Sequence, residues 1–288
     1  MAVIISNEQE ISTPQAPARR YGLFSVASRA GDANERMIAS GLQFVAEDCG
    51  MTVVPYDATC APPHATKAFA PGTPIVDASP YWLIASYQCG TVGTTADDVR
   101  RRVMRRYQAG AQHAVENVVW TGGGLAGQNP ALTTAGATVV VPTVAGAGAA
   151  ISALEEAFYD AHGYVGTIHV NQRATGALAY GEVLDRMDAG VWRTPLGSAV
   201  SLGAGYGITG PAAVAPAAGF VWAFMTPQVY LWSSAVNQPD PVQTMDRSLN
   251  QWMALAETVY AHAWICDTVF AVQVPIAAPA VATAPAPV

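Results

Sequence analysis

The residues of this 288-residue chain that could do chemistry are five histidines, four cysteines, a glycine-rich turn and a cluster of arginines. The histidines are His64, His113, His162, His169 and His262; none stand at i, i+4, and no HExxH is present. His162 and His169 flank a turn and could meet a carboxylate such as Asp160. A metal site needs three or four convergent ligands, no third can be named here, and no metal is expected. The cysteines (Cys49, Cys60, Cys89, Cys266) have no CxxC spacing. Cys49 and Cys60 could pair, but the chain is too long to need disulfide staples, so free thiols are expected. Nucleophilic catalysis needs a serine or cysteine beside a histidine base. No G-x-S-x-G occurs, which leaves Cys89, or a serine, with His162 as the one enzymatic alternative, a Cys/His-dependent soluble hydrolase. Its competitor is Cys89 as a small buried hydrophobe. Gly205, Gly207 and Gly210 match G-x-G-x-x-G in form, but Pro211 follows where a cofactor motif needs a helix to begin, so no cofactor is expected.

The arginines are the one charge concentration. Arg100, Arg101, Arg102, Arg105 and Arg106 fall within the clearest helix of the sequence. Thr95 to Asp98 reads as a capping box, and Asp97 and Asp98 suit the first turn of a helix electrostatically. Val99, Val103, Tyr107, Ala111, Ala114 and Val118 recur at spacings of three and four, which predicts an amphipathic helix over 96–120 that Gly122 to Gly124 stop. At 1.5 Å per residue it runs roughly 35 Å. Arg101, Arg102, Arg105 and Arg106 lie opposite the apolar stripe, and Arg100 nearer to it. A solvated helix face is the plain reading; ion pairs with neighbouring subunits come next, and contact with enclosed nucleic acid after that.

Other elements are fainter. Residues 1–20 read as an extended arm, 32–46 as a helix, 61–80 as a Pro-rich loop around Lys67, and 81–89 (YWLIASYQC) as a buried strand. A second helix is expected near 149–162, a strand over 164–170, a third helix over 174–187 and a turn-rich region over 194–216. Strands are expected on either side of Pro227 and on either side of Asp267, and 276–288 is a low-complexity Ala/Pro/Val tail.

Composition narrows the class. Hydrophobic residues make up 51% of the chain and charged ones only 12%, about half the usual share, which rules out general disorder. A net charge of −7 argues against a free-standing nucleic-acid binder. The basic residues are thirteen Arg and one Lys, Lys67. Residues 117–154 and 194–239 carry no charge at all. Glycines and prolines interrupt both stretches, so neither reads as a membrane span. Surface buried against other subunits explains them alongside loops and buried strands, because interface cores are depleted of charge. The opening residues lack the pattern of a secretory signal.

The order of short motifs resembles the major capsid proteins of tailed bacteriophages, especially the short form found in phages of actinobacteria. The motifs are Gly22-Leu-Phe-Ser-Val-Ala27, Ser40-Gly-Leu-Gln43 with Glu47-Asp-Cys49, and Tyr87-Gln-Cys89 before the long helix. The helix ends Ala114-Val-Glu116 … Trp120-Thr-Gly122, and later come Thr194-Pro-Leu-Gly197, Gly203-Ala-Gly-Tyr206 and Leu255-Ala-Glu-Thr-Val-Tyr260 leading to Trp264 and Cys266-Asp267. The resemblance spans roughly residues 21–275.

It implies an α+β chain with the Hong Kong 97-type capsid fold. An N-terminal arm would be 1–31, and an extended-loop region with its flanking strands 32–90. A peripheral domain would be 91–162 around the spine helix 96–120, and an axial domain 163–242. Strands of 243–275 would return to the peripheral sheet, and 276–288 would be a tail. The implied function is a non-enzymatic shell subunit that assembles with itself into hexamers and pentamers around double-stranded DNA, in the virion, after assembly in the host cytoplasm. Portal, scaffold and decoration proteins would be its further partners, with no membrane. Arg101, Arg102, Arg105, Arg106 and Lys67 are the candidate inter-subunit contacts. Some members of this fold crosslink a loop lysine to a neighbour's asparagine. No Asn or catalytic Glu can be assigned here by motif, so an ordinary solvated Lys67 is the simpler reading. An encapsulin-like nanocompartment shell, and a tail or decoration protein, are the alternatives within structural proteins.

Overall fold

The computed structural model describes residues 20–29, 41–45, 75–125, 129–134, 136–188, 190–239, 245–266 and 268–276. Two sheets, each backed by a helix, organise them.

The first layer is built on helix α2 (Ala96–Thr121), preceded in the chain by the short helical turn α1 (Leu23–Val26). The Thr95 side chain accepts from the Asp98 N–H while Asp98 accepts from the Thr95 N–H, and Gly122 closes the far end at φ 78°. Start and stop are thus where the sequence sets them. One stripe of the helix (Val99, Val103, Tyr107, Ala111, Val115, Val118) is buried against a sheet. The sheet comprises β1 (Ser28–Arg29), β4 (Tyr81–Gly90), β11 (Val229–Ser233), β12 (Met245–Asp246) and β13 (Gln251–Trp264). β13 pairs antiparallel with β4 from Gln251↔Gly90 to Tyr260↔Tyr81. Along its other edge it pairs with β12 and then β11, and β1 adds to β11 in parallel.

The second layer is a seven-stranded sheet in the order β5 (Thr138–Val139), β14 (Phe270–Pro275), β10 (Phe220–Thr226), β6 (Thr167–Asn171), β9 (Ala199–Gly203), β8 (Val191–Arg193) and β7 (Arg186–Asp188). Helices α3 (Ala147–His162) and α4 (Thr175–Tyr180) cover it through Ile151, Leu154, Phe158 and Leu178. β6 and β9 are buried on both faces; in β6 the polar Thr167, His169 and Asn171 alternate with the apolar Ile168 and Val170, so the polar face is enclosed as fully as the apolar one. A separate hairpin pairs β2 (Leu42–Val45) with β3 (Ile75–Ala78) antiparallel.

Several expectations need correction. Of the helix expected over 32–46, residues 42–45 form β2; cross-strand pairing with β3 overrides the local periodicity. The strand at 81–89 is half-buried, not buried: Tyr81 faces the core while Trp82 and Ile84 are 59% and 62% exposed. The helix expected over 174–187 stops at Tyr180, because Gly181 packs on Gly148 and Glu182 takes φ 55°; the chain then returns to the sheet edge as β7. The turn-rich 194–216 contains the buried strand β9. The two strands of 253–275 do not share a sheet: β13 lies in the first layer, while the chain crosses after Trp264 and β14 pairs with β10 in the second. β11, expected in the axial region, belongs to the first layer, whereas β5 and α3, expected in the peripheral region 91–162, belong to the second. Cys266 is disulfide-bonded with a partner beyond the described residues, which overturns the free-thiol expectation for it, whereas Cys89 is free. Lys67, His64 and most of the N-terminal arm and tail lie outside the described residues.

Candidate functional site

The two layers meet at one carboxylate. Glu116 stands on the buried side of α2 between Val115 and Val118 and is fully enclosed. Its Oε1 accepts from the Leu23 backbone N–H (3.1 Å) and from Gln112 Nε2 (2.7 Å), and its Oε2 accepts from the Gly205 backbone N–H (2.8 Å). One side chain thereby joins the N-terminal segment, the spine helix and the loop after β9. The buried charge is compensated by three donors, as a charge in a core must be. The N-terminal segment is held elsewhere too: Leu202 donates to the Tyr21 carbonyl (2.6 Å) and Gln228 to the Val26 carbonyl (2.7 Å).

The glycine-rich turn is explained by this joint. A Cβ on Gly205 would strike the His113 carbonyl and Glu116, one on Gly207 the Trp120 ring, and one on Gly210 the Trp222 ring. The glycines let backbone approach helix and indole closely, and a 3-10 turn, Pro211–Ala213, follows instead of a phosphate-binding helix. Trp120 stacks on Tyr206 at 5.2 Å, meets Phe224 edge-on at 4.9 Å and donates Nε1–H to the Thr209 carbonyl (3.2 Å).

Behind it runs a buried polar chain. Thr226 donates its hydroxyl to the Pro227 carbonyl (2.8 Å), so at 2.9 Å it accepts from His169 Nε2–H. His169 Nδ1 then accepts from the Tyr206 hydroxyl (3.0 Å), which in turn accepts from Ser201 (2.8 Å). That order fixes a neutral His169, and burial pushes its pKa down to about 3. Burial, with the Glu116 charge adding to it, holds the Tyr206 hydroxyl well above its ordinary pKa. Both groups are therefore fixed in their neutral forms at neutral pH. His262 is buried as well, donating Nε2–H to the Pro130 carbonyl (2.9 Å), with its pKa depressed by burial to about 4.

The arginine face divides. Arg102 donates to the Tyr87 hydroxyl (2.9 Å) and Arg106 to the Ser86 carbonyl (3.1 Å), and both guanidinium groups lie over the Tyr87 ring, Arg106 at 4.6 Å. These two clamp α2 onto β4. Arg101 pairs with Asp98 one turn back and its side chain is 64% exposed; Arg105 is exposed further along the helix. Asp98 has its pKa lowered, first by the Thr95 hydroxyl, then by the Thr95 backbone N–H, with Arg101 and Arg102 contributing less.

The residues of the hydrolase alternative do not come together. Cys89 sits beside Gly90 and Thr94, against the first core. His162 lies in the second core among Phe158, Tyr164 and Phe270, with neither ring nitrogen hydrogen-bonded among the described residues. Among the described residues no group of three His, Cys, Asp or Glu could hold a metal ion, and no helix is long and apolar enough to cross a membrane. Glu116 and the His169 chain escaped sequence reasoning. The signal for the first was a lone carboxylate on the apolar stripe; the second carried none beyond a histidine inside a strand.

No family model matches the sequence, and no curated protein matches it. Solved structures do. A chain from the capsid of an empty GTA particle aligns at TM-score 0.55 with 15% identity, over 93% of this chain and 94% of that one. Chains from Mycobacterium phage Ogopogo (TM-score 0.52, 16% identity, 91% and 94% covered) and Gordonia phage Cozz (0.51, 13%, 96% and 92%) align likewise. This chain shares their fold. At such identities the likeness is one of backbone architecture.

Proposed function

We propose that this protein is the major capsid protein of a tailed bacteriophage, a non-enzymatic subunit that assembles into hexamers and pentamers of an icosahedral shell around double-stranded DNA. The observation that carries the reading is the shared fold over more than nine-tenths of both this chain and a chain of a GTA capsid. On this reading the fold is the Hong Kong 97-type fold. The first layer is the peripheral domain with α2 as its spine, the second layer is the axial domain around the five-fold and six-fold centres, and β2 and β3 are the root of the extended loop. Low charge then has a cause, because obligate interfaces are more apolar than ordinary surface.

Arg101, Arg102, Arg105 and Arg106 meet carboxylates of a neighbouring subunit, Arg102 and Arg106 while also bracing β4, and Lys67 is a contact in the extended loop. Assembly takes place in the host cytoplasm, with portal, scaffold and decoration proteins as further partners. Sedimentation velocity of the purified protein tests the reading. It predicts species of five or six times the 30.0 kDa subunit mass, or whole shells. A 30.0 kDa monomer at every concentration, with or without the products of its neighbouring genes, contradicts it.

A further inference from the structure

Strand β4 stands at the edge of the first sheet. It pairs with β13 along one side, and among the described residues no strand pairs along the other. The phase of the ladder is read at its end. The Thr91 N–H donates to the Asn250 carbonyl (3.3 Å) in the register that carries on from Gly90↔Gln251, so the odd-numbered residues of β4 turn their N–H and C=O groups toward β13. Trp82, Ile84, Ser86 and Gln88 turn theirs outward, and their side chains are also the exposed ones of the strand. Of these outward backbone groups, only the Ser86 carbonyl is engaged among the described residues, accepting from Arg106 (3.1 Å). A long edge is usually guarded by a lysine, a proline or a bulge that turns other strands away. Tyr81–Gly90 has ten residues, no charge and no proline, and its register runs unbroken.

We propose that an extended segment of a partner protein, its carboxylates alternating with apolar side chains, adds to β4 as a further strand. Main-chain hydrogen bonds to an open sheet edge supply the affinity of such a contact, and the surfaces met by alternate side chains supply its specificity. A strand laid beside β4 points successive side chains to opposite faces of the sheet. On the α2 face they meet the guanidinium groups of Arg102 and Arg106, which lie over the Tyr87 ring at 5.8 and 4.6 Å from its centre. Arg106 is itself exposed and reaches the very edge at Ser86, so this face selects carboxylates. On the opposite face they lie beside Trp82 and Ile84, whose exposed apolar surface selects apolar side chains. A second copy pairing through its own β4 does not fit. A two-fold axis along the edge would bring two Arg106 side chains together, and the uncharged strand brings no carboxylate to either. The inference needs only the folded subunit and stands independently of the shell reading.

The test uses the purified full chain and two labelled synthetic peptides, one alternating glutamate with valine and one alternating lysine with valine. Fluorescence anisotropy reads binding, and hydrogen exchange resolved to single amides reads where the peptide lies. The glutamate peptide should bind and slow exchange of the Trp82, Ile84, Ser86 and Gln88 amides about tenfold or more. The Leu83, Ala85 and Tyr87 amides, already in the ladder with β13, should change little. The lysine peptide should do neither. Ile84→Pro removes an outward N–H that β13 does not use, at a position where an edge strand tolerates proline, and should weaken binding about tenfold through the lost hydrogen bond. If that variant does not fold, the exchange pattern of the parent chain decides alone. No binding of the glutamate peptide at millimolar concentration overturns the proposal. So does binding that leaves the four outward amides unprotected, or equal binding of the lysine peptide. Protection of those amides that rises with protein concentration in the absence of peptide overturns it as well, by assigning the edge to a second copy.

Discussion

Replacing Glu116 with glutamine separates a joint held by charge from mere packing. Both carboxylate oxygens accept hydrogen bonds, one from the Leu23 N–H and Gln112, the other from the Gly205 N–H. A glutamine has the same shape but only one oxygen. Gln112 can turn its amide to compensate, yet one of the two backbone N–H groups must then face an NH₂. A buried donor without an acceptor costs about 1–3 kcal/mol, so Glu116→Gln should destabilise the subunit by that amount. Glu116→Ala orphans both backbone donors, and the same reasoning gives about 2–6 kcal/mol. Urea unfolding followed by tryptophan fluorescence is the assay, since Trp120 lies one helical turn away and is fully buried. A Glu116→Gln midpoint matching the parent, with a normal slope, would refute the idea that the joint depends on a doubly accepting carboxylate.

Acid should loosen the subunit. The folded pKa values of His169 (about 3) and His262 (about 4) lie below the ordinary value of 6.5, so between these limits the unfolded chain binds protons that the folded chain refuses. Stability is therefore full above neutral pH and falls as pH drops through 6.5, by about 2 kcal/mol per histidine at pH 5; melting temperatures flat from pH 8 to pH 5 would contradict this. Gly205→Ala should cost about 1–3 kcal/mol through overpacking against α2, whereas Gly176→Ala, in open space on α4, should be neutral or slightly stabilising; thermal melts of the pair check it. Reversing Arg101 and Arg105 to Glu should weaken assembly while lowering the subunit's melting temperature only slightly, because the lost Arg101–Asp98 pair is an exposed one and Arg102 and Arg106 retain the clamp on β4. Light scattering during assembly reads it, and unchanged assembly would remove the arginine face from the interface.

Local signals were legible where local physics decides. The α2 boundaries follow from Thr95, Asp98 and Gly122, and the break at Pro227 separates β10 from β11 as its ring requires. The helix expected over 174–187 failed because nothing local shows that Gly181 must pack on Gly148 or that 186–188 will find β8. The assignment of β14 to the second sheet was hidden for the same reason. Strand partners are set by pairings far apart in sequence, and β13 and β14 look alike in composition. The candidate site was legible only in outline. The motif around Glu116 and the turn at 203–206 both carried the family resemblance, but their meeting through a Gly205 hydrogen bond is a tertiary fact. The arginines were found, and the use of two of them within the subunit was not.

Electron microscopy of the recombinant protein, expressed alone and together with the products of its flanking genes, bears most directly on whether this is a shell subunit. The account predicts closed icosahedral particles, or rings with five-fold and six-fold symmetry, with α2 running along the wall of each subunit. Uniform single subunits under both conditions, with the protein folded and concentrated, would contradict it.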